Sequence, residues 1–194
     1  MGAPALADVF DRGGPWTEAD YLALPEDRRR IELLDGGLLM SPSAGSSHQG
    51  LSSHLWHALW SAAPEELEVF EAVNVRVAPG KILIPDLAVV TDTSGRDVKV
   101  FEPAQVALVV EISGADNVAM DRAVKPELYA RAGIPYYLRV ELGRGAPSAA
   151  AYALRDGAYA LTHTCLPGEP LRLTEPFKVD IDLAALARRT RPPG

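Results

Sequence analysis

Three carboxylates occupy positions in this sequence where packing alone would not put them. Asp86 lies between Ile84-Pro85 and the apolar run Leu87-Ala88-Val89-Val90, in the middle of an expected strand. Glu111 closes Ala107-Leu108-Val109-Val110, the most apolar strand of the chain, and Glu32 stands between Ile31 and Leu33-Leu34. Charged carboxylates rarely enter a core without a partner. Each could instead point outward from a half-exposed face, a reading that is strongest for Glu32. Pro85 weighs against it for Asp86, because proline removes a ladder donor and marks an edge or an irregular strand where a side chain is re-aimed. Lys125 follows Glu111 by fourteen residues, with Asp121 four before it. Two carboxylates on adjacent strands plus a lysine have a definite chemistry. The acids offer hard oxygen ligands to Mg²⁺, the ion polarises a phosphoryl oxygen, and the lysine stabilises developing charge or positions the attacking water.

Other chemistries find less support. His48, His54 and His57 include an i, i+3 pair, but no Cys or acidic partner completes a tetrahedral zinc set, so boundary or surface histidines are expected. Ser43, Ser46 and Ser47 precede His48 without a nucleophile elbow, and the glycines lack the spacing of a phosphate-binding loop or a dinucleotide fingerprint. Cys165 reads as a small packed residue. Trp56 and Trp60 share one helix face at i, i+4 and are expected to pack; with Trp16 they could alternatively be platforms for nucleobases. The basic clusters Arg28-Arg29-Arg30 and Arg188-Arg189-Arg191 could touch phosphate, though short charge runs are usually solvated.

The elements that must position these residues follow from pattern. Thr17 with Asp20 opens a short helix to about Leu24. Ile31 to Met40 reads as a hairpin about Asp35-Gly36, a strong short turn signal. His48 to Ala62 has helical spacing. Two β-rich runs, Glu68 to Ala78 and Ile82 to Thr91, flank Pro79-Gly80, and Gln105 to Ile112 reads as a buried strand. Asp116 to Ala132 suggests a helix that either starts near Pro126 or bends there. Tyr136 to Leu142 is a strand. A meander (Ala149 to Leu154, Tyr159 to Thr164, Pro170 to Leu173) and a helix over Asp182 to Arg189 complete the chain. This alternation makes a mixed α/β domain with a central sheet flanked by helices, expected as a single unit over 16–190, with a loose segment over 1–15 and a tail at 191–194.

With 194 residues, the chain can bury a substantial core. A composition of 47% hydrophobic and 23% charged residues excludes disordered and fibrous classes. No apolar run approaches a membrane span, no signal peptide is visible at the start, and one cysteine cannot build a disulfide framework, so a cytoplasmic setting is expected. The net charge of −7 argues against a protein that coats DNA through a basic face. It is compatible with an enzyme that meets phosphate through a cation held by carboxylates.

The ordered set IELLDGGLLMSPSAGSSHQGLSSHL, IPDLAVV, LVVEIS and DRAVKPELYARAGIPYYLRVE resembles the Uma-type restriction endonuclease family of the PD-(D/E)XK nuclease superfamily, from about Thr17 to Glu141. The resemblance implies a restriction-endonuclease-like fold: a mixed central sheet flanked by helices, with additional antiparallel strands toward the C-terminus. It also implies Mg²⁺ (or Mn²⁺) as cofactor, DNA as substrate and no membrane partner. Asp86 and Glu111 would be metal ligands and catalytic residues, assisted by Glu32, with the Ile112 carbonyl completing part of the shell. Many superfamily members keep a lysine where Ser113 stands; here the resemblance assigns that role to Lys125. His48 and Asp121 would be auxiliary. The sequence departs from the family pattern at Gly37, Gly114 and Tyr137, where Glu, Pro and Trp are frequent, and Gly37 leaves one acid fewer beside the proposed site.

Two function classes stand. The first is a metal-dependent endonuclease, for which cutting both strands would require a homodimer, with the helix His48 to Trp60 as a possible interface. The alternative is a nuclease-fold protein that binds or regulates without cleaving, favoured somewhat by the acidic net charge.

Overall fold

The computed structural model describes residues 13–24, 30–41, 44–91, 97–114, 123–143 and 145–188. Asp121, Ser43, Arg28, Arg29, Arg189 and Arg191, the beginning of the N-terminal segment and the tail lie outside them.

Helix α1 (Glu18–Leu22) is closed by a reciprocal capping box between Thr17 and Asp20. Strands β1 (Arg30–Leu34) and β2 (Gly37–Ser41) form the expected hairpin. Asp35 and Gly36 both take positive φ (48° and 81°), as a tight type I′ connection requires. A Cβ on Gly36 would meet the Pro15 Cβ at 2.6 Å, so that turn is also sterically closed to larger residues. Helix α2 (Ser46–Ala62) begins two residues before the expected start and sends Leu51, Leu55 and Leu59 into the main core.

The next two β-rich runs each divide, which corrects the expectation of Asp86 in mid-strand. The first divides into β3 (Leu67–Glu71) and β4 (Val75–Ala78), the second into β5 (Lys81–Leu83) and β6 (Leu87–Thr91). They break at the same level. Ala72 turns to φ 52° on one side, Pro85 withholds an N–H on the other, and the Ala72 N–H donates to the Asp86 carbonyl at 3.1 Å. The result is one long bent hairpin. Its tip, β4 and β5, joins a four-stranded antiparallel sheet in the order β2-β1-β5-β4; its base, β3 and β6, belongs to a second, six-stranded sheet. Asp86 is therefore not in mid-strand but at the bend where the chain changes sheets.

Strand β7 (Val106–Ser113) pairs antiparallel with β6 and parallel with β8 (Tyr136–Glu141); between β7 and β8 runs helix α3 (Lys125–Arg131). Pro126 occupies the first turn of α3, where a proline is tolerated; residues 116–122 of the expected helix lie outside the described residues. Strands β9 (Ser148–Arg155) and β10 (Ala158–Cys165) complete the six-stranded order β10-β9-β8-β7-β6-β3. The third piece of the expected meander does not join them. β11 (Leu171–Leu173) pairs instead with β12 (Val179–Ile181), a strand the pattern did not reveal. Helix α4 (Leu183–Arg188) follows, its Ala185 N–H capped by Asp182 at 2.8 Å.

Alternation along β6 and β7 divides the core into two layers. Leu87, Val89, Leu108, Val110 and Ile112 face α2 and α4, while Ala88, Val90 and Val109 pack with Tyr129 of α3 and with Val75, Val77 and Leu83 of the smaller sheet. A side chain at position 111 thus belongs to the α3 side, between the two sheets. Among the described residues no helix is long and apolar enough to cross a membrane.

Candidate active site

Each element that meets at the seam between the two sheets contributes a polar side chain that the sequence had singled out. Glu32 comes from β1, Asp86 from the bend of the long hairpin, Glu111 from β7, Lys125 from the first turn of α3, and His48 from the first turn of α2. The registers bring the acids together. Leu87 pairs with Val110, so Asp86 comes beside Glu111, and the Ile112 N–H donates to Asp86 Oδ2 at 2.6 Å. Leu33 pairs with Ile82, and one step along the Ile84 N–H donates to Glu32 Oε1 at 2.8 Å.

All four principal residues are buried: Glu32 is 1% exposed, Glu111 2%, Asp86 5% and Lys125 6%. Burying three carboxylates costs several kcal/mol each unless partners repay it, and here each has a cation or a donor. Lys125 Nζ lies 3.1 Å from Glu32 Oε1 and 3.2 Å from Glu111 Oε1. The Tyr129 hydroxyl, one helical turn beyond Lys125, donates to the same Glu111 oxygen at 2.7 Å. Arg30 Nη1 contacts Asp86 Oδ1, its Nη2 donates to the Ile84 carbonyl at 2.6 Å, and His48 Nε2 lies 3.3 Å from Asp86 Oδ1.

This wiring sets protonation. Burial alone would push the Asp86 carboxyl up, but the hydrogen bond from His48 and the charge of Arg30 outweigh it and hold the group down to about 2. Burial would lower His48, yet its bond to Asp86 raises it above its ordinary value. Burial, reinforced by Glu111, holds the Tyr129 phenol well above the ordinary value of 10, so it remains a donor.

One acceptor is left over. Glu32 Oε2 is buried without a hydrogen-bond partner. An orphaned carboxylate oxygen beside two further carboxylates fits a hard divalent cation in chemistry. The remaining carboxylate oxygens named above are engaged by the chain's own cations and donors. Among the described residues no three His, Cys, Asp or Glu side chains form a ready ligand cluster.

The profile of Uma2, described as "Putative restriction endonuclease", matches residues 18–186. The chain belongs to the Uma2 family. The fold is similar to the crystal structure of a "putative nuclease belonging to DUF820" from Anabaena variabilis ATCC 29413, with a TM-score of 0.70 at 16% identity, covering 89% of this chain and 99% of that one. No curated protein matches the chain. The Uma2 chain is thus a member of a nuclease family, and it carries the mixed, helix-flanked sheet with added antiparallel strands that the sequence resemblance implied.

Within this Uma2 fold the structure brings together Glu32, Asp86, Glu111, Lys125 and His48; Asp121 lies outside the described residues. Ile112 meets Asp86 through its N–H. Ser113 is buried at the end of β7. Two participants were missed. Arg30 stood in a basic run read as solvated or as a contact for phosphate, and Tyr129 was not singled out. For Tyr129 a signal existed: it follows Lys125 at i, i+4 and so shares its helix face. Trp56 packs as expected, its Nε1 donating to the Val69 carbonyl at 2.8 Å, whereas Trp60 stacks on it and stays 55% exposed.

Proposed function

We propose that this chain is a divalent-cation-dependent endonuclease that hydrolyses DNA phosphodiesters at the seam between its sheets. The observation that carries the reading is a seam where two buried carboxylates, Glu32 and Glu111, share one buried lysine beside a third buried carboxylate, Asp86, with a carboxylate oxygen left over at Glu32. Asp86, Glu111 and Glu32 would hold Mg²⁺ or Mn²⁺, which when bound polarises a phosphoryl oxygen and acidifies water. Lys125 carries an ammonium with three donors, enough to keep a carboxylate contact while orienting a water or meeting charge on the phosphate. Tyr129 fixes the rotamer of Glu111. His48 and the Ile112 N–H aim the carboxylate of Asp86. In the reaction, water adds to phosphorus, one P–O bond breaks, and the departing oxygen takes a proton. Two copies related by a two-fold axis would reach both strands, and the α2 face bearing Trp60, which has no charged residue along the helix, is the surface we assign to that pairing.

A plasmid-nicking assay with Mg²⁺ or Mn²⁺, run beside Asp86→Asn and Lys125→Ala, tests this. Metal-dependent nicking lost in both folded variants supports the site. A folded protein that neither nicks nor binds either ion returns the chain to the binding-module alternative.

A further inference from the structure

Arg30 is the cation that stands between the Asp86 carboxylate and solvent. Its side chain keeps 25% exposure where that of Asp86 has 4%. Both oxygens of Asp86 are engaged, Oδ1 by Arg30 and His48 and Oδ2 by the Ile112 N–H. A divalent cation that takes Oδ1 competes with the guanidinium already in contact with that oxygen, because like charges at one carboxylate repel. Lys125 and Arg30 differ in how firmly they are held. Lys125 is buried between two carboxylates, whereas among the described residues Arg30 meets one carboxylate and one carbonyl, and its side chain keeps 25% exposure. A guanidinium fork also matches two phosphate oxygens as well as it matches a carboxylate.

We propose that Arg30 exchanges partners during loading: it holds Asp86 in the ion-free protein and passes to a phosphate of the DNA strand when a divalent cation takes the carboxylate. This rests on the nuclease reading above and adds a substrate-binding residue to it. The exchange gives Arg30 opposite effects on the two ligands. Its removal frees Asp86 for the ion and deprives the DNA of a contact, whereas a residue that only braces the fold would weaken both.

The test uses the full chain. Calorimetric titration with Mn²⁺ and anisotropy of a fluorescent duplex in Ca²⁺ are compared for the wild type, Arg30→Gln and Arg30→Lys, each checked for folding by circular dichroism. Arg30→Gln should bind Mn²⁺ about tenfold more tightly and the duplex about tenfold more weakly. Its salt slope should fall by about one, while Arg30→Lys keeps that slope. In the wild type, the Arg30 guanidinium NMR resonance should move on titration with Mg²⁺, a readout that needs no variant. Mn²⁺ binding that is unchanged or weaker in folded Arg30→Gln, duplex affinity that does not fall, or a guanidinium resonance that stays fixed while Mg²⁺ binds overturns the exchange and leaves the nuclease reading in place. Absence of Mn²⁺ binding in both wild type and variants overturns the nuclease reading, and the exchange with it.

Discussion

The Tyr129 hydroxyl donates to Glu111 Oε1 at 2.7 Å, across the gap between helix α3 and strand β7. Both groups are buried, so the bond fixes the carboxylate in a setting where no solvent competes for it. Tyr129→Phe keeps the ring in its core layer and removes only the donor. We expect a loss of about 1–2 kcal/mol in urea denaturation, as for a buried acceptor deprived of a partner. Nicking should fall further than stability does, because Glu111 is no longer aimed.

Lys125→Met leaves Glu32 and Glu111 facing one another without the buried ammonium that bridges them. Breaking such a pair from one side costs about 3 kcal/mol. The variant should melt below the wild type in EDTA and regain a larger share of the difference on adding Mg²⁺, since an ion that binds only the folded state stabilises it by mass action. Thermal melts with and without Mg²⁺ read both effects.

The acid limb of the ion-free protein should report Asp86. Its carboxyl is lowered from 3.8 to about 2, so its pairing with Arg30 and His48 stabilises the fold above the unfolded value and is lost as pH falls from about 4 through about 2. That shift corresponds to about 2 kcal/mol. His48 is raised, so its share is complete below its ordinary value of 6.5 and fades as pH rises through the raised value. Urea midpoints measured in EDTA should therefore be highest between about pH 4 and 6.5. Asp86→Asn should flatten both limbs.

Packing predictions are independent of the chemistry. Leu55 is fully buried where α2 meets the six-stranded sheet, and Leu55→Ala should cost about 3 kcal/mol in chemical denaturation.

The acids of the site were legible because each adjoins or interrupts an apolar run of the sequence, and an interruption of that kind has to be compensated somewhere in the fold. Lys125 was legible only through its place in the ordered motifs that resemble the family. What pattern could not supply was the partner of each charge. Arg30 ends a basic run that looks solvated from its neighbours alone, and only the return of the chain at Ile84 brings a carbonyl and Asp86 to it. The bend itself was half legible. Pro85 announced an irregularity, but Ala72 carries no turn signal, and its positive φ is imposed by the pairing on either side of it. Strand β12 escaped for a similar reason. Three residues are too few for a period, and their pairing with β11 is a tertiary matter.

The bent hairpin has a consequence for how the molecule assembles. Its turn at Pro79-Gly80 joins neighbouring strands, so it closes locally, whereas β1 and β7 must arrive from more distant parts of the chain. Each docks on a different half of the same template: β1 along its tip, β7 along its base. Their two carboxylates therefore converge on the one point both halves share. A nascent chain with either half unpaired would hold an isolated acid and no centre, which ties the appearance of the chemistry to completion of both sheets.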